Sequence, residues 1–157
     1  MKTAQEYKDS LRERKIRVYV MGELLESEKV IDHPFIRGHV NSAAMTYALA
    51  NNPECAGLMT ATSHLTGHKI NRFTHVHQST DDLIKKIQML RMISQKTGTC
   101  YQRCVGFDAM NATYGVTYEI DQAMGTDYHE RFKKFLTYIQ DNDLMVAGAM
   151  TDVKGDR

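Results

Sequence analysis

Four groups of residues in the 157-residue chain have types and spacings that could do chemistry. The first is Cys100 with Cys104, inside the stretch Gln95 to Ala112, QKTGTCYQRCVGFDAMNA. Read at the start of a helical pattern, four-residue spacing puts both thiols on one face, with Cβ atoms roughly 5–6 Å apart. A disulfide wants about 3.5–4.5 Å, so a bond within such a helix is disfavoured, while both sulfurs could reach one metal centre. Zinc and an iron–sulfur cluster each need four ligands, and structural zinc more often uses C-x2-C knuckles. Two small side chains packing a helix satisfy the same spacing. Cys55 is either a third ligand or a buried thiol. Phe107 stands where the C-x3-C-x2-C pattern of radical enzymes would place its third cysteine. This chain alone completes no metal site.

The second group is cationic. Arg91 precedes the cysteine pair and Arg103 lies between its members. A guanidinium there would favour ionised sulfur or hold an anionic substrate; each can equally be a surface residue. The third group is the histidines His64, His68, His75 and His77, which could ligate or act as base. His77 is the best placed, just before a helix start. The tail Thr151 to Arg157 offers hydroxyl, amide and guanidinium donors around Gly155, suiting either a diphosphate or a polar linker.

The elements that must position these groups are mainly helical. Thr3 with Glu6 forms a capping box, with Tyr7 and Leu11 on one face of the helix that follows. Lys15 to Met21 alternates as a half-buried strand, and Gly22-Glu23 turns it into a second strand at Leu24-Leu25. Pro34 opens a helix whose inward face is Ile36, Val40, Ala43, Ala44 and Tyr47, stopped at Asn51-Asn52-Pro53. Glu54 to Gln78 reads as a long loop. Ser79 through Asp82 cap a third helix with the stripe Leu83, Ile87, Leu90 and Ile93, ending near Gly98. A fourth helix, Cys100 to Met124, carries two apolar stripes. One is Val105, Ala109, Ala112, Val116, Ile120 and Ala123; the other is Phe107, Met110, Tyr114 and Tyr118. Two such faces place it in the middle of a bundle. Asp127 with Glu130 caps a fifth helix facing inward through Tyr128, Phe132, Phe135, Leu136 and Ile139.

Composition narrows the class. With 42% hydrophobic and 25% charged residues the chain can bury a core, and a net charge of +1 gives no reason to propose nucleic acid or an anionic membrane. No apolar run approaches the ~20 residues of a membrane span, and MKTAQEYKDSLRERK lacks the apolar core of a signal peptide. The expectation is a cytoplasmic soluble protein with reduced thiols.

The blocks HPFIRGHVNSAAMTYALA, HQSTDDLIKKIQMLRMISQKTGTCYQRCVGFDAMNA, YEIDQAMGTDYHERF and GAMTDVKGDR closely resemble the N-terminal portion of the 4-hydroxybutyryl-CoA dehydratase family. That family is a cluster-bearing branch of the flavin-dependent 4-hydroxyphenylacetate 3-hydroxylases. The resemblance implies residues 1–143 as the N-terminal helical domain of an acyl-CoA dehydrogenase-like fold and 144–157 as the start of a flavin-binding middle β domain. It implies Cys100 and Cys104 as two ligands of a 4Fe-4S cluster. It implies Met150, Thr151, Lys154, Gly155, Asp156 and Arg157 as FAD contacts, and Arg91 and Gln102 as polar catalytic positions. The implied activity is a lyase and isomerase of 4-aminobutyrate fermentation. It dehydrates 4-hydroxybutyryl-CoA to crotonyl-CoA and isomerises vinylacetyl-CoA, by way of a flavin-generated substrate radical. The remaining ligands, most catalytic side chains and a C-terminal bundle would lie in the remainder of the same polypeptide, assembled as a homotetramer. The chain is about a third of the family's expected length, so alone it is expected to be inactive. The alternative is a flavin-dependent aromatic hydroxylase without a cluster.

Overall fold

The structure is a computed structural model describing residues 1–148. Its helices are α1 (Ala4–Arg12), α2 (Arg37–Asn51), α3 (Pro53–Met59), α4 (Thr80–Thr97), α5 (Cys104–Met124) and α6 (Tyr128–Asp141). Two short antiparallel hairpins interrupt them: β1 (Val18–Val20) with β2 (Glu23–Leu25), and β3 (Thr60–Thr62) with β4 (Lys69–Asn71). The expected mainly helical fold and N-terminal hairpin are both present. No helix among the described residues is long and apolar enough to cross a membrane.

Local chemistry sets most boundaries. The Thr3 and Glu6 capping box closes reciprocally at the start of α1. Ser79 accepts from the Asp82 N–H to start α4, and Gly98, at φ 62°, ends it in the left-handed region glycine tolerates. Elsewhere the chain departs from the expected bounds. Pro34 lies in a turn, because His33 before it is extended (φ −61°, ψ 135°), and α2 starts only at Arg37. The expected loop from Glu54 to Gln78 is instead α3, the β3–β4 hairpin and a 3-10 turn at Arg72–Thr74. Asn52 caps α3 with Pro53 at its first position, in a helix too short to show periodicity. At α6, the Asp127 side chain makes no cap bond; the Asp121 carboxylate takes the Tyr128 and His129 N–H groups at 2.9 and 2.8 Å.

Three apolar clusters hold the elements together. Tyr7, Ile31, Val40, Ala43, Ala44 and Tyr47 join α1 to α2, so the expected inward face of α2 is the buried one. Leu49, Met59, Phe73, Met89, Ile93 and Phe107 join α2, α3, α4 and α5. Val76, Met110, Leu136 and Ile139 join α5 to α6. The α4 stripe is rotated from its expected position: Met89 and Ile93 are buried, whereas Leu83 and Ile87 are exposed. On α5 only the Phe107 and Met110 face is buried. Val105, Ala109, Ala112, Val116 and Ala123 face outward, so the described residues do not enclose this helix. Tyr128 and Phe135 of α6 are also exposed.

Candidate functional site

Between α4 and α5 the chain makes a short connection bearing both thiols. Cys104 is the first residue of α5, and Cys100 precedes the helix, so the two do not share a helical face as expected. Side-chain burial explains why. Tyr101 and Arg103 are 6% and 1% exposed, whereas Gln102 between them is exposed, a period of two that a helix cannot satisfy. Gln102 takes φ 64° to make the bend. Tyr101 lies 5.8 Å from the Phe73 ring, and Ser42 of α2 donates to the Cys100 carbonyl at 2.9 Å. The connection is thus anchored from α2 and from the core.

Despite the changed backbone, the two cysteines face one concavity. Cys100 and Cys104 line one open concavity of about 470 Å³, together with Ser94, Gly98, Thr99 and Tyr101. Cys100 is exposed and Cys104 half-buried, and both are free thiols. The concavity sits at the N-terminal end of α5, where partial positive charge suits an anionic thiolate-ligated centre. Among the described residues no group of three or more His, Cys, Asp or Glu could hold a metal ion. Cys55 packs against the core from α3 and does not line the concavity. The donor set fits one half of a four-ligand site and no more.

Arg91 is exposed on α4, one turn before Ser94 at the concavity wall. Arg103 is neither exposed nor directed at the thiols. Its guanidinium lies 4.6 Å from the ring centroids of both Tyr47 and Phe73, and Nη1 donates to Thr46 Oγ1 at 3.0 Å. Burial lowers its pKa, and burial pushes the Tyr47 hydroxyl up to about 12. The FAD contacts expected from Met150 to Arg157 lie outside the described residues.

The histidines are dispersed. His75 Nε2 lies 3.3 Å from Asp82 Oδ1, which also accepts from Arg72 Nη1 at 3.1 Å, forming a buried tie between the 3-10 turn and α4. Burial lowers the His75 pKa, and Asp82 only partly restores it. For Asp82 burial acts upward, but bonds from Gln78, His75 and Ser79 outweigh it and hold its pKa well below the carboxylate range. His77 packs on Phe107 at 5.0 Å, with neither ring nitrogen partnered among the described residues; burial lowers its pKa, with Lys86 adding to the effect. His64 contacts the Tyr114 hydroxyl at 2.9 Å, and His68 is exposed beside Asp141. None lines the thiol concavity. A separate groove between α5 and α6, lined by Thr117, Ile120, Tyr128, Arg131, Phe132 and Phe135, holds about 490 Å³ and exposes an almost wholly apolar surface. Its lining suits burial more than chemistry.

The 4-hydroxyphenylacetate 3-hydroxylase N-terminal family model matches residues 3–157. A 4-hydroxybutyryl-CoA dehydratase/vinylacetyl-CoA Δ-isomerase of Clostridium aminobutyricum is 57% identical over 155 residues, 99% of this chain and 31% of that relative. The solved structure of an oxygen-tolerant archaeal 4-hydroxybutyryl-CoA dehydratase from N. maritimus superposes with a TM-score of 0.91 at 47% identity, over 99% of this chain and 30% of that one. The oxygenase component of 4-hydroxyphenylacetate 3-monooxygenase, solved with FAD and 4-hydroxyphenylacetate, matches at a TM-score of 0.72 and 21% identity, over 92% and 29%. At that identity the likeness is one of fold. The chain spans about a third of the length of these relatives.

Proposed function

The chain belongs to the 4-hydroxyphenylacetate 3-hydroxylase N-terminal family, and from that premise we propose that it is the N-terminal part of a 4-hydroxybutyryl-CoA dehydratase/vinylacetyl-CoA Δ-isomerase. The observation that carries the reading is the pair Cys100 and Cys104 in one open concavity, within a chain 57% identical to such an enzyme. Loss of water from a 4-hydroxyacyl thioester requires breaking a C–H bond at the β carbon, which the thioester does not acidify. A bound 4Fe-4S cluster and FAD would supply the Lewis-acid and one-electron chemistry that this bond demands.

This chain's part is to bind and to orient. Cys100 and Cys104 would hold one side of the cluster, with the remaining ligands coming from the remainder of the same polypeptide. The Ser42 bond to the Cys100 carbonyl and the burial of Tyr101 keep the thiol-bearing connection in place when substrate enters. Arg91, exposed on α4, is suited to an anionic part of the acyl-CoA, and the exposed Gln102 between Tyr101 and Arg103 offers an amide. Met150, Thr151, Lys154, Gly155, Asp156 and Arg157, outside the described residues, would contact FAD. The exposed faces of α5 and α6 are covered by the remainder of the polypeptide in an acyl-CoA dehydrogenase-like fold, which assembles as a homotetramer.

Anaerobic purification of the full-length protein tests the proposal. It should yield iron, acid-labile sulfide and FAD, and Cys100→Ser or Cys104→Ser should each abolish iron retention. A colourless, flavin-free protein refutes the reading. Activity that survives both serine variants would instead mean a flavin enzyme that uses no cluster, which the 21% identity to the hydroxylase component supports less well.

A further inference from the structure

Arg103 follows the exposed Gln102 and immediately precedes Cys104, yet it is among the most deeply buried side chains described, at 1% exposed. Its guanidinium is clamped between the Tyr47 ring of α2 and the Phe73 ring, both 4.6 Å away. Nη1 donates to Thr46 Oγ1, and that hydroxyl donates onward to the Ala43 carbonyl at 2.6 Å, so its direction is fixed. Nη2 lies 3.9 Å from Asp143 Oδ1. Among the described residues, Nε, Nη2 and Asp143 Oδ1 have no hydrogen-bond partner.

Asp143 is itself tightly held. It sits just past α6 at φ 42°, its Oδ2 accepts from the Lys2 N–H at 3.0 Å, and its carbonyl accepts from the Tyr47 hydroxyl at 3.3 Å. The chain then runs directly over the first turn of α5. A Cβ built on Gly106 would stand 2.5 Å from the Val146 carbonyl carbon, and one built on Gly148 would strike the Val105 side chain. The residue before Cys104 and the residue that launches the outgoing segment therefore share one buried charge pair. Burying an arginine and an aspartate costs several kcal/mol per ion before their attraction repays it, so the pair is a weak source of stability. It is a better source of geometry, because a planar cation between two rings admits few orientations.

We propose that Arg103 is a positioning residue for the thiol site: its clamped guanidinium fixes the position of Cys104 and couples it, through Asp143, to the segment leading to residues 149–157. This rests on the reading of Cys104 as a cluster ligand. The guanidinium contacts Tyr47, Phe73 and Thr46 rather than a thiol, and it acts through the backbone that it shares with Cys104.

Arg103→Lys in the full-length protein keeps the charge and loses the planar clamp. The iron-free variant is alkylated with iodoacetamide and each cysteine is followed by peptide mass spectrometry, with Cys55 of α3 as internal reference. The expected result is a rise of about fivefold or more in the Cys104 rate relative to Cys55, at unchanged far-ultraviolet circular dichroism, from local opening of the connection. Iron retention against a chelator should fall by about tenfold, the usual cost of losing support behind a metal ligand. Folded Arg103→Lys with an unchanged Cys104 to Cys55 ratio overturns the proposal. If Arg103→Lys does not fold, Asp143→Asn decides. That variant keeps the shape and backbone contacts of Asp143, and a ratio that stays at the parent value overturns the proposal equally. Should the parent hold no iron, the cluster reading falls, while the alkylation ratio still reports on Arg103.

Discussion

Two glycines on one helix should respond oppositely to the same substitution. In a free helix Gly→Ala stabilises by about 1 kcal/mol, because glycine gives up more backbone freedom on folding. Gly115 lies on α5 with nothing within 4 Å of a built Cβ, so Gly115→Ala should gain about that amount. Gly106 lies nine residues earlier on the same helix, beneath the segment that follows α6. Its added methyl would stand 2.5 Å from the Val146 carbonyl carbon and 2.9 Å from Val146 Cγ1, where ordinary contact begins at 3.4 Å. The obstruction is backbone, which no rotamer change relieves, so the segment must retreat by about 1 Å at an overpacking cost of about 3 kcal/mol. Subtracting the helix gain leaves Gly106→Ala about 2 kcal/mol less stable. Thermal unfolding of the 157-residue chain should fall by about 4–8 °C for Gly106→Ala and rise by about 2–4 °C for Gly115→Ala. A melting temperature that rises in both variants would refute the close approach of Val146 to α5, and with it the route of the outgoing segment.

Acid should unfold the chain through groups that can be named. The Asp82 pKa is depressed in the folded state, so its contribution is present above the unfolded value near 4 and is lost as pH falls through the folded pKa. His64, His75 and His77 also have lowered pKa values, so stability declines as pH drops below their ordinary 6.5. Urea midpoints measured from pH 7 to 3 should fall, and Asp82→Asn should flatten the segment below pH 4. Asp121→Ala should fray the start of α6, seen as faster amide exchange at Tyr128 and His129 than at Leu136. Val116→Lys with Phe135→Glu should shift the isolated chain from associated species to monomer in size-exclusion chromatography, with helical content unchanged, because both side chains are more than half exposed. An elution profile that does not move would mean that these faces do not drive association.

How far the fold could be read depended on whether local chemistry or distant packing set each element. The Thr3 box, the Ser79 cap and the Gly98 stop are satisfied within a few residues and were legible, as was the inward face of α2 from its period. The start of α5 was not. Thr99 to Arg103 holds no proline or glycine to break a helix, and the bend is imposed by two inward side chains, Tyr101 and Arg103. The alternation of Tyr101, Gln102 and Arg103 was available as a signal, but an arginine is read as a polar surface residue, so the period of two went unseen. The same preference hid the most deeply buried cation beside the thiols. The outer face of α5 was read as apolar but could not be given a partner, because periodicity reports that a face is apolar and says nothing about which chain covers it.

The buried guanidinium also bears on the order in which the chain folds. The α5–α6 hairpin is built from contacts close in sequence, the kind that form early. Arg103 instead joins Thr46, 57 positions away, to Asp143 beyond the end of α6, so it closes two long loops at once. Its burial must await α2, α5 and α6 together. The thiol-bearing connection should therefore be among the last parts of this chain to acquire its final shape, with Cys100 and Cys104 brought to one concavity only after the three helices have met.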